Sequence, residues 1–156
     1  MQTEKKLTGY PSIDKPWLKY YTEETINTKL PECTIYDYLW ENNKDHTNDI
    51  AIIYLGKKIT YGELFDKISD CERSLFALGV REREIVTVAM PSIPEALYVV
   101  YALNKMGAVA NMIHPLAGAN EIKDYLNEVK SKRFLMFDGT YNIVKGVLSD
   151  TCVEQA

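Results

Sequence analysis

The sequence predicts an α/β fold, a mostly parallel sheet with helices on both faces. From residue 84 onward, short apolar runs of strand length alternate with longer segments of helical periodicity. That order is typical of right-handed crossovers between parallel strands. The run Ile85–Met90 is almost continuously apolar, as expected for a strand covered on both faces. Helix-capping residues and glycine stops mark the limits of the helices between the strands.

The segment from Ser92 to Pro115, SIPEALYVVYALNKMGAVANMIHP, is the most apolar part of the chain and first suggests a membrane span. A transmembrane helix needs roughly 20 apolar residues, and the segment is long enough. Lys105, however, would lie near the middle of the bilayer, at a cost of about 3 kcal/mol. We therefore expect no membrane span.

A helix followed by a strand explains the same residues better. Ser92 and Glu95 have the spacing of a capping box, and Pro94 stands in the first turn, where its missing N–H costs nothing. Gly107 can end the helix with a positive φ, and a strand over 108–113 is predicted to follow. The helix is apolar nearly all round, so it should be buried on more than one side.

The remaining elements follow from similar signals. Thr34 with Asp37 and Thr60 with Glu63 are spaced as capping boxes, and Gly79 ends the second of these helices. The other predicted elements are helices over 35–43, 62–78, 120–130 and 140–148, and strands over 51–55, 58–60, 85–90 and 134–137. Residues 1–33 are expected to form an irregular N-terminal segment, and residues 34–156 a single α/β domain.

The composition is that of a globular protein without a nucleic-acid footprint. The chain is 46% apolar and 26% charged, with a net charge of -4, and no block of Lys or Arg indicates a nucleic-acid partner. Cys33, Cys71 and Cys152 are odd in number and far apart, which favours neither a disulfide framework nor a metal site. The N-terminus lacks the apolar run of a secretory signal, so a cytoplasmic location is expected.

Motifs that bind phosphate or cofactors are not found in the sequence. There is no GxGxxG dinucleotide fingerprint, no GxxxxGK[ST] phosphate loop and no GxSxG nucleophile elbow. We therefore assign no catalytic, cofactor-binding or metal-ligating residue within this chain.

His114 is the one candidate for a ligand-binding role. It follows a predicted strand of a parallel sheet, and ligands bind outside the carboxyl ends of such strands. Pro115 fixes the backbone after it. His114 is therefore a candidate for the wall of a substrate pocket, while a purely structural hydrogen bond is the alternative. His46 lies in a polar loop and is expected to be solvated.

Several stretches resemble AMP-forming acyl-CoA synthetases, the adenylate-forming superfamily. KKITYGEL resembles the lTYxEL element of that family, and GVREREIVTVAMPSIPEALYVVYALNKMGAVANMIHPL resembles its next helix–strand–helix–strand region. Within it, Leu103–Val109 is the best local match. EIKDYLNEVKSKRFLMFD resembles the following helix and strand, so the resemblance runs from about Thr34 to Asp138. PWLKYY resembles a segment near the start of bacterial fatty-acid CoA ligases.

Some positions depart from the family pattern. Arg83 and Glu84 replace a Gly-Asp pair, so a turn glycine is lost, and Ser92 replaces an asparagine. The Ser/Thr/Gly-rich phosphate loop and the later Asp, Arg and Lys motifs follow this region in the family and have no match here. The chain thus resembles the N-terminal piece of a synthetase, made by cloning or by a shortened reading frame.

The resemblance implies a two-step reaction for the full-length parent. A carboxylic acid, expected to be a fatty acid, is activated by ATP to an acyl-adenylate and then transferred to coenzyme A. ATP, Mg²⁺ and coenzyme A are implied for the parent and none of them for this fragment. The fragment is expected to be an inactive scaffold, whose partner is the remainder of the parent chain.

Two alternatives remain open at this point. The first is a self-standing α/β protein-interaction module without catalysis, because the helix from residue 93 to 103 is unusually apolar for a small domain. The second is a flavodoxin-like or nucleotide-binding domain, by analogy of fold. A severed sheet would also leave an unpaired edge, so the fragment is expected to form homo-oligomers.

Overall fold

The computed structural model describes residues 7–156, and the chain divides into a short unit, Met1–Glu32, and a larger one, Cys33–Ala156. The short unit contains helix α1 (Pro11–Asp14), a 3₁₀ turn (Pro16–Tyr20) and helix α2 (Glu23–Asn27). The sequence predicted irregular chain here, and that expectation is wrong in this respect. These helical segments are only four or five residues long, which is too short to produce a recognisable apolar period.

The larger unit is an α/β domain, as predicted. Its elements are helix α3 (Ile35–Asn43), strands β1 (Ile50–Tyr54) and β2 (Lys57–Thr60), helix α4 (Tyr61–Ala77), strand β3 (Ile85–Ala89), helix α5 (Pro94–Lys105), strand β4 (Val109–Met112), helix α6 (Ala119–Glu128), strand β5 (Arg133–Met136), helix α7 (Asp138–Val144) and a 3₁₀ turn (Leu148–Asp150). Strands β1 and β2 form an antiparallel hairpin. Strands β3, β4 and β5 form a parallel sheet in the order β4-β3-β5.

Helices cover both faces of the parallel sheet. On one face, Val86 and Val88 of β3 belong to a core cluster with residues of α4 and α5. On the other face, Ala89 belongs to a second cluster with Phe134 of β5 and residues of α6 and α7. Alternate residues of one strand point to opposite faces, which explains why β3 is apolar at almost every position.

Two of the three predicted capping boxes are present. The Thr34 hydroxyl accepts the backbone N–H of Asp37 at 3.0 Å, and the Thr60 hydroxyl accepts that of Glu63 at 3.2 Å. In each box the acidic side chain in turn accepts the backbone N–H of the capping threonine. Each box satisfies backbone donors that have no partner inside the helix.

The predicted capping box of Ser92 and Glu95 is wrong. Helix α5 is capped at Ile93, which has an extended backbone (φ −114°, ψ 160°) and makes no side-chain capping bond. The residue before a proline is disfavoured in the helical region. Pro94 therefore makes Ile93 the last non-helical residue, so that the cap lies one position after Ser92.

Within residues 7–156, no helix is both long and apolar enough to cross a membrane. The apolar segment that suggested a span is divided between α5 and β4, because Gly107 ends the helix with a positive φ of 70°. The Gly107 N–H donates to Asn104 O at 3.1 Å, and the Ala108 N–H donates to Leu103 O at 2.9 Å. These bonds close the helix before the strand begins.

Candidate functional site at the carboxyl edge of the sheet

The three parallel strands end at one edge of the sheet, where the segments that follow them line an open cavity. The cavity has a volume of about 400 Å³. It is lined by Met90, Pro91, Ser92, His114, Pro115, Leu116 and Phe137. Each of the three strands thus contributes to it, which is the location at which open α/β sheets bind ligands.

His114 lies in this lining, immediately after β4. Its Nδ1 accepts the backbone N–H of Leu116 at 3.1 Å. A backbone N–H can only donate, so Nδ1 is the unprotonated nitrogen and Nε2 carries the hydrogen. No other described residue binds the ring, and its Nε2–H can therefore donate to a ligand.

Ser92 is the second polar side chain of the cavity, and sequence reasoning missed its place there. The sequence predicts Ser92 as a helix cap, but Ile93 has that position. The Ser92 side chain is exposed and has no hydrogen-bond partner among residues 7–156. Its hydroxyl can both donate and accept, so the cavity offers two polar side chains from the segments that follow two different strands.

Thr140 holds two of the contributing segments together. Its side chain is fully buried, and Oγ1 donates to the carbonyl oxygen of Pro115 at 2.9 Å. The bond joins the first turn of α7 to the segment after β4, 25 residues earlier. Thr140 therefore positions the backbone beside His114 without lining the cavity itself.

The rest of the lining is apolar. Leu116 and Phe137 are exposed by 73% and 43%, and Met90 and the two prolines complete the walls. Apolar walls with a few fixed polar groups are typical of small-molecule sites. The arrangement can bind and orient a ligand, and nothing in the lining supplies a charged group or an activated nucleophile.

His114 also borders a second cavity, of about 420 Å³, on the α6 side of the sheet edge. Asn111, Tyr125 and Glu128 are among its lining residues. The Tyr125 hydroxyl donates to Glu121 at 2.6 Å, and this bond to a carboxylate raises the pKa of Tyr125. The imidazole of His114 thus stands between two open volumes.

The side chains of this cavity carry none of the charges that would hold the groups implied for the parent reaction. A triphosphate needs cations or backbone N–H donors, and Mg²⁺ needs carboxylates or phosphates. The lining contains neither Lys or Arg nor Asp or Glu. Among the described residues, no group of three or more His, Cys, Asp or Glu side chains is arranged to hold a metal ion.

The structure is thus an α/β domain with a cavity at the carboxyl ends of its parallel strands. The family model described as AMP-binding enzyme matches residues 39–155, and the chain belongs to this family. Because the family is known from this match, a flavodoxin-like domain is no longer an alternative. It confirms the resemblance inferred from the sequence.

The sequence relatives include acetyl-coenzyme A synthetases. That of Rhizobium meliloti is 38% identical over 84 residues, which cover 50% of this chain and 13% of that protein. That of Helicobacter pylori strain G27 is 24% identical over 166 residues, which cover 98% of this chain and 24% of that protein. The chain thus spans a quarter or less of the length of these relatives.

Solved structures show the same fold. A long-chain-fatty-acid-CoA ligase from Archaeoglobus fulgidus aligns with a TM-score of 0.77 and 22% identity, over 82% of this chain and 27% of that one. The N-terminal subdomain of NpsA from Klebsiella oxytoca, solved in complex with anthranilyl-AMSN, aligns with a TM-score of 0.70 and 22% identity, over 80% of this chain and 31% of that one. The α/β fold predicted from the sequence is confirmed.

Proposed function

We propose that residues 34–156 are the N-terminal scaffold of an AMP-forming acyl-CoA ligase. In the complete enzyme, a carboxylate oxygen of the acid attacks the α-phosphorus of ATP, and the bond to pyrophosphate breaks. The thiol of coenzyme A then attacks the acyl carbon, and AMP leaves. The observation that carries the proposal is the family match over residues 39–155.

In this proposal the chain contributes framework and one ligand-binding wall. Charge that develops on a transferring phosphate is stabilised by cations, backbone N–H groups and metal ions aimed at it. The cavity lining offers only the His114 and Ser92 side chains as polar groups. We therefore assign phosphate chemistry to other parts of the parent protein, and we expect residues 1–156 alone to be inactive.

We further propose that His114 lines the pocket for the acyl substrate, and that this substrate is a fatty acid. A cavity of about 400 Å³ falls in the range that holds drug-sized ligands, and its apolar walls suit an alkyl chain. The sequence relatives named above act on acetate by their names, so acetate is the competing substrate. The chain's cysteines are free thiols, in keeping with a reducing, cytoplasmic location.

The test is acid-dependent exchange of pyrophosphate into ATP by the complete protein, with acetate, octanoate and palmitate as acids. Exchange is expected with octanoate or palmitate, and none is expected from residues 1–156 alone. A folded complete protein without exchange for any of the acids would refute the ligase proposal. Exchange with acetate only would refute the fatty-acid part and leave the ligase part standing.

The role of His114 is tested in the same assay. His114→Ala removes the Nε2–H donor and should raise KM for the acid by roughly tenfold, the loss of about one hydrogen bond. His46→Ala is the matched control, because His46 lies in an exposed loop outside the cavity, where its Nδ1 is 3.4 Å from the carboxylate of Asp49. Equal KM values for the two variants would contradict the assignment.

The alternative of a self-standing interaction module is kept because no strand among residues 7–156 pairs with the outer edge of β4, where Val109 and Met112 are exposed. The reading frame downstream of Ala156 separates the two functions. A frame that continues into a loop rich in Gly, Ser and Thr within a few dozen codons supports the ligase. A natural stop codon at that point supports the module.

A further inference from the structure

The peptide group between Pro115 and Leu116 joins two hydrogen bonds of the candidate site. Its carbonyl oxygen, on Pro115, accepts the hydroxyl hydrogen of Thr140 at 2.9 Å. Its N–H, on Leu116, donates to Nδ1 of His114 at 3.1 Å. The group is trans, and in a planar trans peptide the C=O and the N–H point in opposite directions. A side chain that holds the oxygen therefore also aims the N–H at the imidazole.

This peptide group lies in the middle of a β-turn over residues 114–117. The N–H of Ala117 donates to His114 O at 3.2 Å and closes the turn, and the Ala117 side chain is buried in the second core cluster. Turns with the same end residues differ in the orientation of their central peptide. Closure of the turn thus leaves this peptide free to tilt, and its bond to Thr140 removes that freedom.

Thr140 is itself fixed to the sheet and to the core. Its side chain is fully buried, and its N–H donates to Phe137 O at 2.8 Å. The N–H of Phe137 donates in turn to Ala89 O, at the end of β3, at 3.0 Å. Val144, one turn further along α7, is fully buried in the second core cluster. The hydroxyl that holds the peptide is therefore anchored in the interior of the domain.

We propose that Thr140 is a positioning residue for the acid substrate, and that it acts through His114. The inference rests on the proposed role of His114 in the acyl pocket. Thr140 holds the peptide so that Nδ1 of His114 stays an acceptor and Nε2 presents its hydrogen to the acid. The bond made by one imidazole nitrogen decides which nitrogen carries the hydrogen.

Without the hydroxyl of Thr140, the peptide tilts and its N–H no longer fixes the imidazole. Both tautomers and further ring orientations are then populated, and only a fraction of the molecules presents a donor at Nε2. The apparent affinity for the acid falls in proportion to that fraction. The expected signature is a higher KM for the acid, brought about by a residue that does not line the cavity.

The orientation of His114 is tested by ¹⁵N NMR of the imidazoles of residues 1–156, at about pH 8, where an ordinary imidazole is neutral. The chain has two histidines, so the exposed His46 is a reference in the same spectrum. His114 should show one tautomer, with Nδ1 unprotonated. Thr140→Val should move both of its nitrogen signals toward those of a tautomer mixture, and Thr140→Ser, which keeps the hydroxyl, should leave them in place.

Thr151→Val is the matched control. The Thr151 hydroxyl also donates to a backbone carbonyl oxygen, that of Leu148 at 2.7 Å, but Thr151 is not part of the cavity lining. Its replacement should leave the signals of both histidines unchanged. If His114 of the unchanged chain already showed a tautomer mixture, the proposal would be overturned without any variant.

The effect on the acid is measured by pyrophosphate exchange in the complete protein. Thr140→Val should raise KM for the acid roughly three- to tenfold and change the rate at saturating acid by less than about twofold. In a His114→Ala background the same substitution should raise KM no further, because the ring through which Thr140 acts has been removed. A residue that only stabilises the fold would have the same effect in both backgrounds.

The two measurements separate this inference from the ligase proposal. The NMR experiment needs no substrate, so it decides the orientation of His114 even if the complete protein proves inactive with every acid. Unchanged His114 signals in Thr140→Val, equal changes in Thr151→Val, or an equal rise in KM with and without the imidazole would each overturn the positioning role of Thr140.

Discussion

Ser131 joins β3 to the segment before β5 from inside the core, and its removal gives the sharpest stability prediction. Its hydroxyl accepts the backbone N–H of Thr87 at 3.0 Å and lies 2.8 Å from the carbonyl oxygen of Arg133. Both Ser131 and Thr87 are fully buried. In Ser131→Ala, the Thr87 N–H loses this acceptor where water cannot replace it.

The magnitude follows from these contacts. A buried donor without a partner costs about 1–3 kcal/mol, and the second hydrogen bond contributes about 1 kcal/mol more. The expected loss is therefore about 2–4 kcal/mol, a large part of the 5–15 kcal/mol typical of a domain. The corresponding fall in Tm is roughly 10 °C.

Urea denaturation followed by circular dichroism measures this loss directly. Ser149→Ala is the matched control, because Ser149 is exposed and its change should stay within about 0.5 kcal/mol. If Ser131→Ala also stayed within about 0.5 kcal/mol of the unchanged chain, the buried hydroxyl would not hold the two strands together, and the reasoning would be refuted.

Three further predictions concern turns and an exposed ion pair. Arg83 has a φ of 65°, so Arg83→Gly should raise the free energy of unfolding by about 0.5–1 kcal/mol in urea denaturation; no gain would contradict this. Gly79 has a φ of 87°, and an added Cβ would lie 2.7 Å from Nη2 of Arg133, so Gly79→Ala should cost about 2 kcal/mol in the same assay. The hydrogen bond and charge of Lys132 lower the pKa of Glu154. Because the folded pKa is lowered, the pair stabilises the fold above the pKa of the unfolded carboxyl, and that stability is lost as the pH falls through the folded pKa. An NMR titration of Lys132→Met should show the pKa of Glu154 rising toward its ordinary value; an unchanged pKa would disprove the pairing.

Local signals in the sequence predicted most of the helices and strands. Thr34 and Thr60 cap helices where their spacing to an acidic residue indicated, and Gly107 separates α5 from β4. The box at Ser92 failed because the effect of Pro94 on Ile93 outweighs the capping preference of serine. The short helices of residues 7–32 were missed because four or five residues do not produce a period.

The residues of the candidate site could be predicted only in part, because they come from three separate segments. The position of His114 followed from one strand end and the general rule for parallel sheets. The strand order β4-β3-β5 cannot be inferred from the sequence. The sequence therefore does not predict that Ser92 and Phe137 line the same cavity. Thr140 was equally hidden, since its acceptor lies 25 residues away and no local pattern marks it.

Isothermal titration of Mg²⁺–ATP into residues 1–156 tests most directly whether this part of the protein is framework rather than reaction centre. The lining of its cavity has no cation to hold a triphosphate and no carboxylate to hold the metal. We predict no heat beyond that of dilution at nucleotide concentrations up to about 1 mM. At these concentrations even a weak site, with a binding free energy of about −4 kcal/mol, would be detected. Saturable binding with a Kd in the micromolar range would contradict the assignment.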